Sequence, residues 1–272
     1  MANEMDSARR PIGVFDSGIG GLTVVAAMRK VLPNESIIYV GDTARVPYGG
    51  KSASTVQRYS TEIAEMLLAE NAKIIVVACN TASALAVPLL HERLSVPLTG
   101  VILPGAKAAV AATRNGRIGV IGTRATVQSG AYEKAIRALQ PNLQIFSCAC
   151  PLLVPLIEEG WRGSPITDQV IMKYLAGLLK DGIDTLVLGC THYPLLRDDI
   201  ARLIGAEVTL VDSAENCATA VRELLQSENL AAASASNGTL RICLTDPPDS
   251  FLEVAAQTLG LEVGEVELRQ LC

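Results

Sequence analysis

Two cysteines stand at matched places in this sequence. Residues 74–83 read IIVVACNTAS and residues 185–194 read TLVLGCTHYP; each is an aliphatic, β-branched run that ends in a cysteine and a threonine-bearing polar step. A thiol has an unperturbed pKa of about 8.5, close to working pH, so it can take or give a proton. Two thiols on opposite sides of one carbon can remove a proton from one face and return one to the other, inverting the stereocentre. A hydrolase or transferase needs only one nucleophile, whereas a cofactor-free racemase needs two acid–base groups. The competing reading of either cysteine alone is an inert buried thiol; the matched pair favours chemistry. A zinc site from Cys79, Cys190 and His192 lacks a fourth evident ligand and any CxxC pair, so no metal is expected.

Other polar groups gather around this pair. His192 could poise the Cys190 thiol or act as a second acid, and a packed histidine is the alternative. Asp16 opens DSGIGG, whose glycines would let backbone N–H groups approach a small anion. The acidic residue argues against phosphate and for contact with a cationic group; a helix N-cap is the alternative. The stretch lacks both GxGxxG spacing and a GK[ST] ending. Cys148 and Cys150 read as a strand packing its thiols, and His91 as a helix-surface residue. Cys217, Cys243 and Cys272 carry no signal.

These groups must be positioned by strands and helices. Short apolar runs alternate with helical patterns, the signature of repeating βα units. PIGVFDSG is a strand and turn, GGLTVVAAMRKVLP a helix closed by Pro33, and SIIYVG a second strand. A helix then starts at Ser52 or Ser54 and carries Val56, Tyr59, Ile63, Met66, Leu67 and Glu70 on one face. The pattern restarts near residue 118: RPIGVFDSGIG at 10–20 resembles GRIGVIGTRAT at 116–126. Gly13 and Gly119 are 106 apart, Cys79 and Cys190 are 111 apart, and the near-equal offsets argue for an internal duplication. The expected fold is α/β: two pseudo-symmetric, doubly wound, flavodoxin-like domains with parallel sheets and the active site in the cleft between them. Residues 1–100 with 213–272 would form the first domain, and 101–212 the second. ENLAAASASNG has a loop-like composition and is expected to be mobile. In open parallel sheets ligands bind beyond the carboxyl ends of the strands, where Asp16-Ser17-Gly18, Gly41-Asp42-Thr43, Cys79-Asn80-Thr81 and Cys190-Thr191-His192 all fall.

The bulk composition agrees. Of 272 residues, 49% are apolar but only 4% aromatic, which suits aliphatic strands covered by helices. Net charge is −5 with no cluster of Lys or Arg, so nucleic-acid binding is not expected. No apolar run is long enough to span a bilayer and no signal peptide is read, so a cytoplasmic protein with free thiols is expected.

With DSGIGG, GDTARVPYG, ACNTAS, VPLIEEG, GCTHYP and VDSA in this order, residues 11–270 resemble bacterial glutamate racemase, of the cofactor-independent aspartate/glutamate racemase superfamily. The resemblance implies interconversion of L- and D-glutamate, supplying D-glutamate for peptidoglycan, without a cofactor. It makes Cys79 and Cys190 the two bases, with Asp16 assisting the first and His192 the second; Glu158 belongs to the site, and Asp42 is a weaker carry-over. Substrate contacts would come from Asp16, Ser17, Tyr48, Gly49, Asn80, Thr81, Thr191 and His192. A homodimer is implied, and for some members a second role in binding DNA gyrase. A racemase of another amino acid, such as aspartate, and a non-catalytic binding protein on the same scaffold are the rival readings.

Overall fold

The computed structural model describes residues 8–233, 237–247, 252, 259–262 and 266–270. In chain order the first half runs β1 (Ile12–Asp16), α1 (Leu22–Val31), β2 (Ile37–Gly41), α2 (Ala53–Ala69), β3 (Ile74–Val77), α3 (Asn80–Arg93) and β4 (Leu98–Gly100). Next come α4 (Ile102–Ala112), β5 (Arg117–Gly122), α5 (Arg124–Ser129), α6 (Ala131–Leu139) and β6 (Gln144–Ala149). They are followed by α7 (Leu153–Glu158), α8 (Pro165–Lys180), β7 (Thr185–Gly189), α9 (Arg197–Ile204) and β8 (Thr209–Asp212). The chain continues into α10 (Ser213–Ser227), β9 (Leu240–Leu244) and β10 (Val266–Leu268).

The strands form two parallel sheets, ordered β10-β9-β2-β1-β3-β4 and β6-β5-β7-β8. The segment β2-β1-β3-β4 of the first repeats the whole order of the second, as the doubled sequence pattern leads one to expect. β1, β3 and β7 are buried along their full length because helices cover both faces, which is why they read as unbroken aliphatic runs. Equivalent pairs in register, Val14 with Val76 and Val120 with Val187, lock the centre of each sheet. In each sheet the winding reverses between the first and third strands. Connections there leave toward opposite faces and open a crevice at the strand ends. Cys79 follows β3 and Cys190 follows β7, so each thiol sits at that reversal.

Ser52 caps α2 by accepting the Thr55 N–H at 3.3 Å. Val56, Ile63 and Leu67 of its apolar face are buried, whereas Glu70 ends the helix and pairs with Arg241 at 2.9 Å. The tail returns to the first sheet: β9 lies parallel to β2 with Tyr39 opposite Ile242, and β10 adds beyond it. α10 packs on α1 and on α4. The stretch TLRICLTDPPDSFLEVAAQTLG reads as a further strand and helix; the strand is β9, and most of the residues after it lie outside the described residues. The loop expected to be mobile is tied down where it is described. Lys73, buried in an ion pair with Glu35 at 2.5 Å, donates to Leu230 O, and Glu35 accepts from the Ala232 N–H. Residues 234–236 of that loop lie outside the described residues. Among the described residues no helix is long and apolar enough to cross a membrane.

Candidate active site

The carboxyl ends of the two sheets enclose a cavity of about 390 Å³, at the small end of ligand sites. Cys79 and Cys190 both line it, one from each sheet. Ser17, Tyr48, Gly49, Asn80, Thr81, Glu158, Thr191 and His192 line it as well, so nearly every residue singled out in the sequence meets at one place.

Asp16 is one exception: it is fully buried and lies behind the wall. Its Oδ2 accepts the Gly18 and Gly21 N–H groups, each at 3.1 Å. The glycine-rich turn therefore closes on its own aspartate, and those amides are not free for an external anion. Burial pushes the Asp16 carboxyl upward, against the pull of His192 and of the amides.

Cys79 is the N-cap of α3, its sulfur accepting the Ala82 N–H at 3.4 Å. A helix start by itself lowers the pKa of a thiol. Here burial first, then the nearby Asp16 charge, push the thiol up to about 12, outweighing the helix amides and Ser17. The resting form at neutral pH is the thiol, and the thiolate, once formed, is a strong base. The second site is built differently. Cys190 is followed by a short 3-10 turn, Tyr193–Leu196, before α9 begins, so no α-helix starts at this sulfur. Its neighbour is His192, whose Nδ1 lies 3.9 Å from Sγ and whose Nε2 meets Glu158 Oε1 at 3.0 Å. Burial opposes charge on the imidazole, but hydrogen bonds to Cys190 and Glu158 win and raise it to about 10. His192 is thus a cation at neutral pH. Gly20 makes room for it: a Cβ there would fall 2.6 Å from Thr191 Oγ1 and closer still to the imidazole.

Asp42 does not line the cavity; it is buried and orients residues that do. It accepts from the Tyr48 hydroxyl, from Arg45 Nε at 2.7 Å and from Thr245 Oγ1 at 3.0 Å. Arg45 also pairs with Glu62 and stacks over Tyr59, 3.9 Å from the ring centroid, which braces the loop presenting Tyr48 and Gly49. Thr81 Oγ1 lies 2.9 Å from Thr123 Oγ1 and 3.2 Å from Thr126 Oγ1, a hydroxyl cluster that joins the two halves.

Thr123 and Arg124 are wall residues not foreseen from the sequence, as are Pro151, Val154 and Pro155. The signal for Thr123 was present: in the repeat alignment it falls opposite Ser17. Arg124 is the only Lys or Arg on the wall among the described residues. Cys148 is the penultimate residue of β6 and Cys150 is buried just beyond the strand, while His91 is exposed in the last turn of α3. Among the described residues no group of three or more His, Cys, Asp and Glu is placed to hold a metal ion.

Two doubled parallel sheets facing each other across a small, polar-ended cavity define an α/β enzyme of the cleft type, with its working groups on the strand-end loops. The chain belongs to the Asp/Glu/Hydantoin racemase family, whose model matches residues 21–221. It is 51% identical over 257 residues to the glutamate racemase of Geobacter metallireducens, covering 94% of this chain and 95% of that protein. Among solved structures, a glutamate racemase isoform from Bacillus anthracis superposes with a TM-score of 0.92 at 43% identity, covering 96% of this chain and 97% of that one. The Francisella tularensis glutamate racemase in complex with D-glutamate gives 0.90 at 38% identity, covering 97% and 98%. The protein is a racemase, and so an isomerase.

Proposed function

We propose that this chain interconverts L- and D-glutamate by proton transfer between Cα and two cysteines. The observation that carries the reading is the meeting of Cys79 and Cys190 on one cavity from opposite sheets. In one direction a Cys79 thiolate takes the Cα proton and the Cys190 thiol delivers its own to the opposite face; the reverse reaction exchanges the roles. The proton count balances within each turnover, leaving the thiol on the other wall. The high proton affinity of Cys79 suits abstraction from a weak carbon acid. The His192 cation supplies positive charge beside Cys190 and is held by Glu158. Ser17, Asn80, Thr81 and Thr191 offer hydroxyl and amide groups to the substrate carboxylates, with Tyr48 and Gly49 on the braced loop. Asp16 acts on Cys79 and on the ammonium through its charge, from behind Ser17 and Gly18.

The same reading makes 1–100 with 213–272 one domain and 101–212 the other, in keeping with the return of β9 and β10 to the first sheet. It also carries supply of D-glutamate for peptidoglycan, a cytoplasmic location and a homodimer. The test is stereochemical. Cys79→Ala and Cys190→Ala should each abolish racemisation. Each should still eliminate from one enantiomer of a glutamate bearing a leaving group at Cβ, with opposite preference. Equal preference in the two variants would remove the two-face assignment. Incubating the parent enzyme with D-glutamate or D-aspartate in D₂O tests the substrate: only glutamate should gain α-deuterium while losing optical activity.

A further inference from the structure

Asn80 presents an unbalanced side chain. It is 2% exposed and lines the cavity; its Oδ1 accepts a hydrogen bond, yet its Nδ2 is buried with no partner. A buried amide donor left unmatched is costly, so such a group is kept where a ligand completes it. The group that fixes which end of the amide is satisfied is the Tyr132 hydroxyl, which donates to Asn80 Oδ1 at 2.8 Å.

Tyr132 comes from the other half of the molecule. It sits in the first turn of α6, is 2% exposed, and reaches across to the residue that follows Cys79. Its ring is slotted between two glycines, Gly105 of α4 and Gly189 at the end of β7, where an added Cβ would lie 3.2 and 3.1 Å from the ring. Gly189 directly precedes Cys190. One side chain therefore touches the strand end that carries one thiol and bonds the helix start beside the other. By donating to Oδ1, the Tyr132 O–H holds the amide with Oδ1 toward the ring and leaves the NH₂ group over.

We infer that Tyr132 is a positioning residue: it locks the Asn80 amide so that its NH₂ group is presented to a carboxylate of the substrate, and does so only when the two halves are apposed. The inference rests on the proposed function in taking a carboxylate-bearing amino acid as the ligand. It makes the donor at Asn80 conditional on the second half of the molecule. An amino acid then meets a complete carboxylate site only in the state where both thiols face it.

The test is steady-state kinetics with D- and L-glutamate on Tyr132→Phe, Asn80→Ala and the double variant, with thermal unfolding alongside. Tyr132→Phe keeps the ring in its slot and deletes the hydroxyl. KM should rise about five- to tenfold for both enantiomers while kcat changes by less than about threefold, matching one lost oriented hydrogen bond. Asn80→Ala should raise KM at least as much, and the double variant should equal Asn80→Ala, because Tyr132 acts through Asn80. An unchanged KM in Tyr132→Phe overturns the inference, and so do effects that multiply in the double variant. Should Tyr132→Phe fail to fold, Asn80→Asp decides. It retains an acceptor for Tyr132 but sets a carboxylate oxygen where the NH₂ stood. KM should then rise at least as far as in Asn80→Ala, and a parental KM would sink the idea. If the parent enzyme does not racemise glutamate, the proposed function falls; if it does and only these variants disappoint, this inference alone falls.

Discussion

Gly20→Ala adds one methyl group, and the structure says where it goes. Gly20 is buried and its backbone does not occupy the left-handed region, so alanine meets no conformational penalty there. The whole effect is steric. The new Cβ would stand 2.6 Å from Thr191 Oγ1 and nearer still to Cε1 and Nδ1 of His192. Ordinary contact begins near 3.4 Å, so the imidazole must retreat by about 1 Å. That shift disturbs both the 3.0 Å bond to Glu158 and the 3.9 Å approach to Cys190. A misplacement of about 1 Å at a reacting group costs on the order of 10²-fold in rate, or about 2.7 kcal/mol in the barrier. We expect kcat/KM to fall about a hundredfold in both directions while the thermal midpoint moves by only a few degrees. Circular dichroism of D- and L-glutamate solutions follows racemisation, and calorimetry follows folding. A folded variant whose kcat/KM stays within about threefold of the parent would refute the argument that His192 must sit where Gly20 allows it.

Two further predictions test the electrostatics and the frame. Glu158→Gln keeps the side-chain shape but removes a charge that helps hold His192 at about 10. The raised pKa contributes stability that is complete below about 6.5 and is lost as pH climbs toward 10. In the variant the loss still begins near 6.5, the unfolded value, but is smaller and is complete at a lower pH. Nitrogen NMR of the imidazole reads the proton directly, and an unmoved titration would discard Glu158 as its support. Lys73→Ala leaves Glu35 buried and unpaired at the opposite end of the first sheet and should cost about 3–5 kcal/mol, with kcat nearly unaltered. Denaturant unfolding measures it; a loss under about 1 kcal/mol would show the pair to be dispensable.

Much of the frame could be read from residue order because parallel strands buried on both faces leave an uninterrupted aliphatic trace. The repeat of that trace gave the doubled architecture, and the loops after each run gave the polar ends now found around one cavity. Position relative to the cavity was harder. Asp16 and Ser17 are adjacent in sequence, yet one is a wall residue and the other lies behind it, because the turn folds its amides onto the carboxylate. The Cys79 proton affinity is hidden from the sequence for a similar reason. Helix-start amides are visible in a sequence pattern, whereas complete burial beside a second acid depends on residues brought in from β1. Tyr132 and Arg124 are contributed from α6 and α5, and nothing local in their segments marks them as neighbours of the cavity.

The two walls are not copies of each other: one sulfur has a hidden carboxylate nearby, the other an imidazolium. Mirror-image amino acids nevertheless have the same free energy in water, so the overall equilibrium constant is unity. Thermodynamics then requires kcat/KM to be equal in the two directions, however unlike the walls. Any difference between them can surface only as a compensated exchange, with faster turnover in one direction matched by weaker apparent affinity.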